Sequence, residues 1–252
     1  MTNLRYLRQI SLLDIGLDGQ ECIKNSKILC IGAGGLGAPV LIYLASSGVG
    51  TIGVVDMDVV NISDLNRQIL FNMSDIGKKK VDVATSFISR LNSDIIVNSY
   101  DFCFNENSAP DLISSYDIVV DCTDNLKTKY LINYYSVKFN IPMIYGAIYG
   151  FEGYISTFYH VYGACYNCLY DNVSFSYLPN CSEYGVIGPV TGIIGSLQAM
   201  EVIKLILYLK LSSKIKNLIS RLLVFNLKNM DFTILNIKKK KNCSVCSSFL
   251  NN

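Results

Sequence analysis

The chain has 252 residues, half of them hydrophobic and 17% charged, which is enough length and apolar content for a sizeable core and argues against long disordered stretches. Twenty-two Lys and Arg face 20 Asp and Glu, a formal net charge of +2, so no general basic surface for nucleic acid is expected. One histidine, His160, and no tryptophan leave little material for a Ser-His-Asp triad or a multi-histidine metal site.

Residues 28–55 carry no charge, but seven glycines, a proline and two serines interrupt them, so they do not read as a membrane span. The N-terminus, MTNLRYLRQI, has charges where the apolar core of a signal peptide would lie. A soluble protein of the cytoplasm, or of a cytosol-like organelle stroma, is the expectation, with no membrane partner. Nine cysteines, an odd number, without such a leader argue against a secreted disulfide framework.

In chain order, residues 27–32 (KILCIG) predict a buried strand running into a glycine loop. Residues 36–47 predict a helix with Leu36, Val40, Ile42, Tyr43 and Leu44 on its apolar side, and 51–56 (TIGVVD) a strand closed by an acid. A helix over 80–92, a strand over 94–100, a short strand over 117–121 (DIVVD), a helix over 125–139 and a strand from Pro142 follow. This alternation implies an α/β fold, a doubly wound, mostly parallel, Rossmann-like sheet. After residue 146 the pattern changes. Residues 153–162 alternate as an antiparallel strand, 191–209 predict a long helix, and 221–237 hold two strands with a turn at Asn229. The chain reads as a single domain, 1–252, with a nucleotide-binding part (1–146) and a C-terminal part (147–252). The lysines at 238–241 read as a solvated tail.

Gly32-Ala33-Gly34-Gly35-Leu36-Gly37 is a G-x-G-x-x-G between strand and helix, where glycine lets a phosphate approach a helix N-terminus. Asp56, 24 residues after Gly32, stands where a carboxylate accepts ribose hydroxyls. Together they indicate nucleotide binding. An NAD-dependent oxidoreductase is one reading, but the following residues suit a more highly charged ligand. Asp64-Leu65-Asn66-Arg67-Gln68 and Lys80 bring an arginine and a lysine toward the nucleotide, as a triphosphate needs. Lys78 and Lys79 read as a solvated helix start. Asp121-Cys122-Thr123-Asp124-Asn125 ends a buried strand, where Asp124 can hold magnesium or orient a phosphate.

Cys165-x-x-Cys168 and Cys243-x-x-Cys246, 75 residues apart, are each half of a tetrahedral zinc site and together make a closed four-sulfur shell. Redox pairs or buried thiols are the alternatives, although no thioredoxin-like context accompanies them. Cys181, in a polar loop, is a candidate nucleophile or a structural thiol; Cys22, Cys30, Cys103 and Cys122 read as packing residues, and His160 as structural.

Arg5-Tyr6-Leu7-Arg8-Gln9-Ile10, the glycine loop, Asp56, DLNRQ, Lys80, DCTDN, both Cys-x-x-Cys pairs and GSLQAMEVIK (195–204) resemble the ThiF/MoeB/HesA family over almost the whole chain. These are ubiquitin-activating-like adenylyltransferases of sulfur-carrier proteins. The resemblance implies a cytoplasmic homodimer that uses ATP and Mg2+, holds structural Zn2+, and activates a ThiS-like or MoaD-like carrier for thiamine thiazole or molybdopterin synthesis. It places Gly34 and Asp56 on the nucleotide, with Asp64, Leu65 and Asn66 beside it. It also puts Arg67 and Lys80 on the phosphates, Asp124 and Asn125 at the magnesium site, and Arg8 on the neighbouring subunit's ATP. Cys181 aligns with the loop cysteine that ThiF-type enzymes link to the carrier. The family usually has Asn where this chain has Asp64. Local features of 68–71 and 186–190 lean toward ThiF, and GSLQAMEVIK toward MoeB; the thiazole branch is slightly favoured. No rhodanese-like extension follows the last cysteine pair, so a separate sulfur donor protein is expected. A zinc-stabilised binding module without catalysis is the remaining alternative.

Overall fold

Uncharged β-branched runs form the middle of the sheet because parallel strands are covered on both faces. In a computed structural model describing residues 2–171 and 185–249, the elements run in this order. α1 (Thr2–Arg5), α2 (Leu7–Ile10) and α3 (Gly16–Lys24) precede β1 (Lys27–Ile31), α4 (Gly37–Ser47) and β2 (Thr51–Val55). Then come α5 (Lys80–Leu91), β3 (Ile96–Tyr100), α6 (Ala109–Ser114), β4 (Ile118–Asp121), α7 (Leu126–Lys138) and β5 (Met143–Tyr149). β6 (Glu152–Phe158), α8 (Tyr166–Leu169), α9 (Gly188–Leu211), β7 (Arg221–Asn226) and β8 (Asp231–Asn236) follow.

The eight strands form one sheet in the order β3-β2-β1-β4-β5-β6-β7-β8. β3 through β5 are parallel, and each later neighbour is antiparallel. The chain winds outward from β1 to β3, then restarts at β4 on the other side of β1. That reversal opens a crevice beyond the carboxyl ends of β1 and β4, where such sheets bind ligands. One core packs α4, α5 and α9 on one face, with Ile28, Leu41, Leu44, Ile88 and Ile194 fully buried. The other face carries α6, α7 and the cysteine cluster, with Leu29, Ile113, Ile132 and Tyr166. Each such side chain contributes about 1.5–3 kcal/mol through burial. Among the described residues α9 is the one helix long and apolar enough to cross a bilayer. It packs against α4, β5 and β6 as a core helix.

The expected strands and helices all appear, with shifted ends, and the three N-terminal helices, α6 and α8 are additional to them. The N-terminal helices are held by distant partners: Asn92 Nδ2 donates to Tyr6 Oη (2.7 Å), and Gln9 and Gln20 both donate to Ser47 O. Tyr43, expected on the apolar side of α4, is 51% exposed, because the helix buries the stripe of Val40, Leu41 and Leu44 instead. β6 stops at Phe158 rather than 162, and His160 lies buried in the turn beyond it.

Gly195 of α9 lets that helix lie against the start of α4. A Cβ there would stand 2.3 Å from Pro39 Cγ and 2.5 Å from the Leu36 carbonyl oxygen. The carbonyl belongs to the backbone at the helix start and cannot rotate away. Gly195→Ala should therefore lower stability by about 1–3 kcal/mol, seen as a lower urea midpoint at unchanged m-value.

Candidate active site and a four-cysteine cluster

The crevice holds a cavity of about 420 Å³. Gly32 leaves β1 with φ +99°, and a Cβ there would lie 2.7 Å from the Cys122 carbonyl oxygen, so glycine alone passes between β1 and β4. Gly34 lines the cavity, and Asp56 lies at the end of β2. Asp56 Oδ2 accepts from the Ala33 amide (2.8 Å) and Oδ1 from the Asp58 amide (2.9 Å), which ties the glycine loop to the acid. Burial raises the Asp56 pKa above the usual carboxylate value, opposed by those two amides. Each oxygen keeps a lone pair for a hydroxyl donor.

Lys80 opens α5, is buried, and lies 3.0 Å from Asp58 and 3.7 Å from Asp64. Arg67 donates to Ser63 O (2.7 Å) and lies 3.5 Å from Asp64. Lys78 and Lys79 pair with Asp75 and Asp101 away from the cavity. Asp64 is paired rather than isolated. It is the third residue of a capping box in which Asn61 accepts from the Ser63 amide and Asp64 Oδ2 accepts from the Asn61 amide. Its Oδ1 accepts from Gln68 Nε2 at 2.8 Å. Leu65 packs on the core and Asn66 accepts from Arg67, and neither belongs to the cavity wall. Arg8, exposed on α2, also lies off that wall.

At the end of β4, Asp121 is fully buried and accepts from the Thr123 amide (3.0 Å) and hydroxyl (2.7 Å). Lys129 Nζ donates to Asp121 Oδ2 (2.8 Å), Thr123 O (2.8 Å) and Gly146 O (3.0 Å), so all its protons are used. Asp124 projects from this braced turn with no hydrogen bond or ion pair among the described residues, free to meet a cation. Asn125 also lines the cavity and caps α7, its Oδ1 accepting from the Thr128 amide (2.9 Å).

Sequence reasoning missed Lys129 and Asp58, and named Gln68 without a role. Lys129 reads as one more helix lysine until the sheet sets α7 over Asp121. Cys103, expected to pack, is exposed and lines the cavity between Phe102 and Phe104, a placement its apolar neighbours concealed. Cys181 lies outside the described residues.

Cys165, Cys168, Cys243 and Cys246 are all buried, and their sulfurs lie within 4.8 Å of one another. The pairs 165–168, 165–243 and 168–246 stand at 3.8, 3.6 and 3.6 Å. Tetrahedral bonds of about 2.3 Å to zinc put sulfurs roughly 3.8 Å apart, so the donor set fits that ion. The Cys168 pKa is lowered to about 4, first by the hydrogen bond with the Cys165 thiol and also by the Lys240 amide. The lysines at 238–241 are therefore not simply a solvated tail. The Lys240 amide donates to Cys168, and Lys239 Nζ donates to the His160 carbonyl. Asn133 of α7 accepts from the Tyr166 amide (2.8 Å) and donates to Asn167 (2.8 Å), joining α7 to the cysteine turn.

Metal analysis of the purified protein should find about one zinc per chain. Cys243→Ala should lose the metal and loosen the C-terminal segment, read by hydrogen exchange over 238–249. A metal-free wild type of the same stability would reject the site.

The model of the ThiF family matches residues 6–245. The adenylyltransferase and sulfurtransferase MOCS3 of Dictyostelium discoideum is 42% identical over 96% of this chain and 56% of its own length. The probable molybdopterin-synthase adenylyltransferase of Porphyra purpurea is 45% identical over 81% of this chain and 54% of its own. The sulfur carrier protein adenylyltransferase of Thermus thermophilus is 38% identical over 96% of this chain and 90% of its own. The chain thus spans about half the length of several curated relatives it matches. In the crystal structure of E. coli MccB the fold recurs, with a TM-score of 0.84 at 24% identity over 97% of this chain and 72% of that one. Glycine loop, paired cations, carboxylate turn and three of the four cluster cysteines fall within the matched segment, Cys246 standing one residue beyond it, and the chain belongs to the ThiF family.

Proposed function

We propose that this protein adenylylates the C-terminal carboxylate of a ubiquitin-like sulfur-carrier protein with ATP and magnesium. One observation carries the reading. A single cavity at the sheet's switch point joins a ribose-type acid, two cations and an uncommitted carboxylate (Asp56, Arg67, Lys80, Asp124). The names of the relatives, which speak of adenylyltransferases of sulfur carriers, support the same chemistry. Hydride transfer has no use for the paired cations, so the oxidoreductase reading is not pursued.

A carboxylate is a poor acyl donor. In this scheme a carrier carboxylate oxygen attacks the α-phosphorus, the bond to the bridging oxygen breaks, and pyrophosphate leaves with its electron pair. The protein has two anions to bring together and must offset charge moving onto the leaving group. Arg67 and Lys80 are proposed to receive that charge, and Asp56 to hold the ribose hydroxyls. Asp124 would hold magnesium, which would supply positive charge against the leaving group. Arg8 is proposed to complete a neighbouring subunit's site in a homodimer. Zinc held by the four thiolates would fix the C-terminal segment and take no part in the chemistry.

Cys181 is proposed as the nucleophile of a later sulfur step: its thiolate attacks the acyl-adenylate carbon and expels AMP, or attacks the acyl-side sulfur of an acyl disulfide between the carrier and a separate sulfur donor protein, breaking the S–S bond and expelling the donor's thiolate. For the pathway, relatives named MOCS3 and molybdopterin-synthase adenylyltransferase favour the molybdopterin carrier over the thiazole carrier.

Carrier-dependent ATP–pyrophosphate exchange, run with both carrier types, tests the reading, and exchange with neither would refute it. Arg67→Ala and Lys80→Ala should each slow exchange by roughly a hundredfold or more, with the fold retained by circular dichroism. A reductant-sensitive adduct between enzyme and carrier, seen by non-reducing mass spectrometry and lost in Cys181→Ser, would report the sulfur step.

A further inference from the structure

We propose that Asp64 makes the pocket selective for magnesium-bound over metal-free nucleotide, by competing with the triphosphate for Arg67 and Lys80. The inference rests on the nucleotide reading above and names a specificity residue within it. Asp64 lies between the two cations, 3.5 Å from the Arg67 guanidinium and 3.7 Å from Lys80 Nζ. Lys80 is also held by Asp58 at 3.0 Å. Each cation that a phosphate would use is therefore already engaged by a carboxylate.

The whole wall has the same bias. Among the described residues, the cavity is lined by the carboxylates of Asp56, Asp58, Asp64 and Asp124 against the cations Arg67, Lys80 and Lys129. Lys129 gives all its protons to Asp121, Thr123 and Gly146, so it offers none to a ligand. A bare triphosphate entering this wall meets more negative than available positive charge. Magnesium cancels part of the ligand's charge and gives the carboxylates a cation to face. Selectivity for the complexed nucleotide follows from repulsion of the uncomplexed one.

Asp64 also has a local structural duty, and the chain supplies an internal control for it. Asn61-Ile62-Ser63-Asp64 and Asn72-Met73-Ser74-Asp75 form two capping boxes of the same design. In the second, Asp75 accepts from the Asn72 amide (3.1 Å) and pairs with Lys78 (3.0 Å), as Asp64 does with Asn61 and Arg67. Asp75 is no part of the cavity wall. An asparagine at either position keeps an oxygen for the cap, removes the charge, and puts an amide NH2 where the other oxygen accepted from Gln68 Nε2 or Lys78 Nζ. The buried Gln68 Oε1, which has no hydrogen-bond partner among the described residues, gains a possible donor in the Asp64→Asn amide.

Calorimetric binding of ATP to the full chain, once with excess Mg2+ and once with EDTA, reads the selectivity as a ratio of affinities. In Asp64→Asn the ratio should fall about tenfold through tighter binding of metal-free ATP, the size of one screened charge contact. Asp75→Asn should keep the wild-type ratio. An unchanged ratio in Asp64→Asn, or an equal fall in Asp75→Asn, would overturn the proposal. So would an equal gain for AMP, which has no β- or γ-phosphate to reach Arg67 and Lys80. A wild type that binds neither form of ATP would overturn the nucleotide reading itself. Wild-type binding with a ratio indifferent to Asp64 would overturn this inference alone.

Discussion

The buried ion pair of Asp121 and Lys129 is the constraint on which the crevice depends. Asp121 has no exposure to solvent, and an uncompensated carboxylate there would be costly. Lys129 meets it at 2.8 Å and uses its other protons on the Thr123 and Gly146 carbonyls. One ammonium group thus ties the end of β4, the turn after it and the middle of β5. Gln198 of α9 adds a hydrogen bond to the Asp121 carbonyl from the opposite face. Breaking such a pair from one side typically costs about 3–5 kcal/mol. The turn that presents Asp124 is therefore braced at its root and open at its tip, which leaves that carboxylate held in place without being consumed.

Around that turn the electrostatics are closely balanced. Asp56 spends one lone pair of each oxygen on backbone amides of its own neighbourhood, so the acid that lines the cavity also shapes the loop beside it. Arg67 and Lys80 are likewise restrained by carboxylates, Asp64 and Asp58. Restraint of this kind lowers the reorganisation needed when charge develops beside the two cations. It also means that the cations are pre-positioned at the expense of raw anion affinity.

Much of this was legible in the residues. The central strands announce themselves because parallel strands buried on both faces must be uninterrupted apolar runs, and KILCI and IVVD are such runs. The glycine loop, Asp56, Arg67, Lys80 and Asp124 could be placed because a doubly wound sheet fixes where its loops converge. The sulfur cluster followed from spacing alone. What stayed hidden depends on contacts between distant segments. The short N-terminal helices rest on Asn92 and Ser47, far along the chain. Lys129 becomes special only when α7 lies over β4. Asp64 looked like an anomaly among phosphates until its cap and its two cations were visible together. Tyr43 and Cys103 were misjudged because apolar neighbours in sequence say nothing of which way a side chain turns.

The two halves of the cysteine cluster come from segments 78 positions apart, Cys165 with Cys243 and Cys168 with Cys246. Between them the chain must make α9 and both strands of the last hairpin. The four sulfurs therefore close a long loop that holds α9, β7 and β8. Contacts of such sequence separation form late, because the loop they close must first be ordered by other interactions. A metal taken by the four thiolates would lock that loop once closed, tying the C-terminal segment to the turn that follows β6.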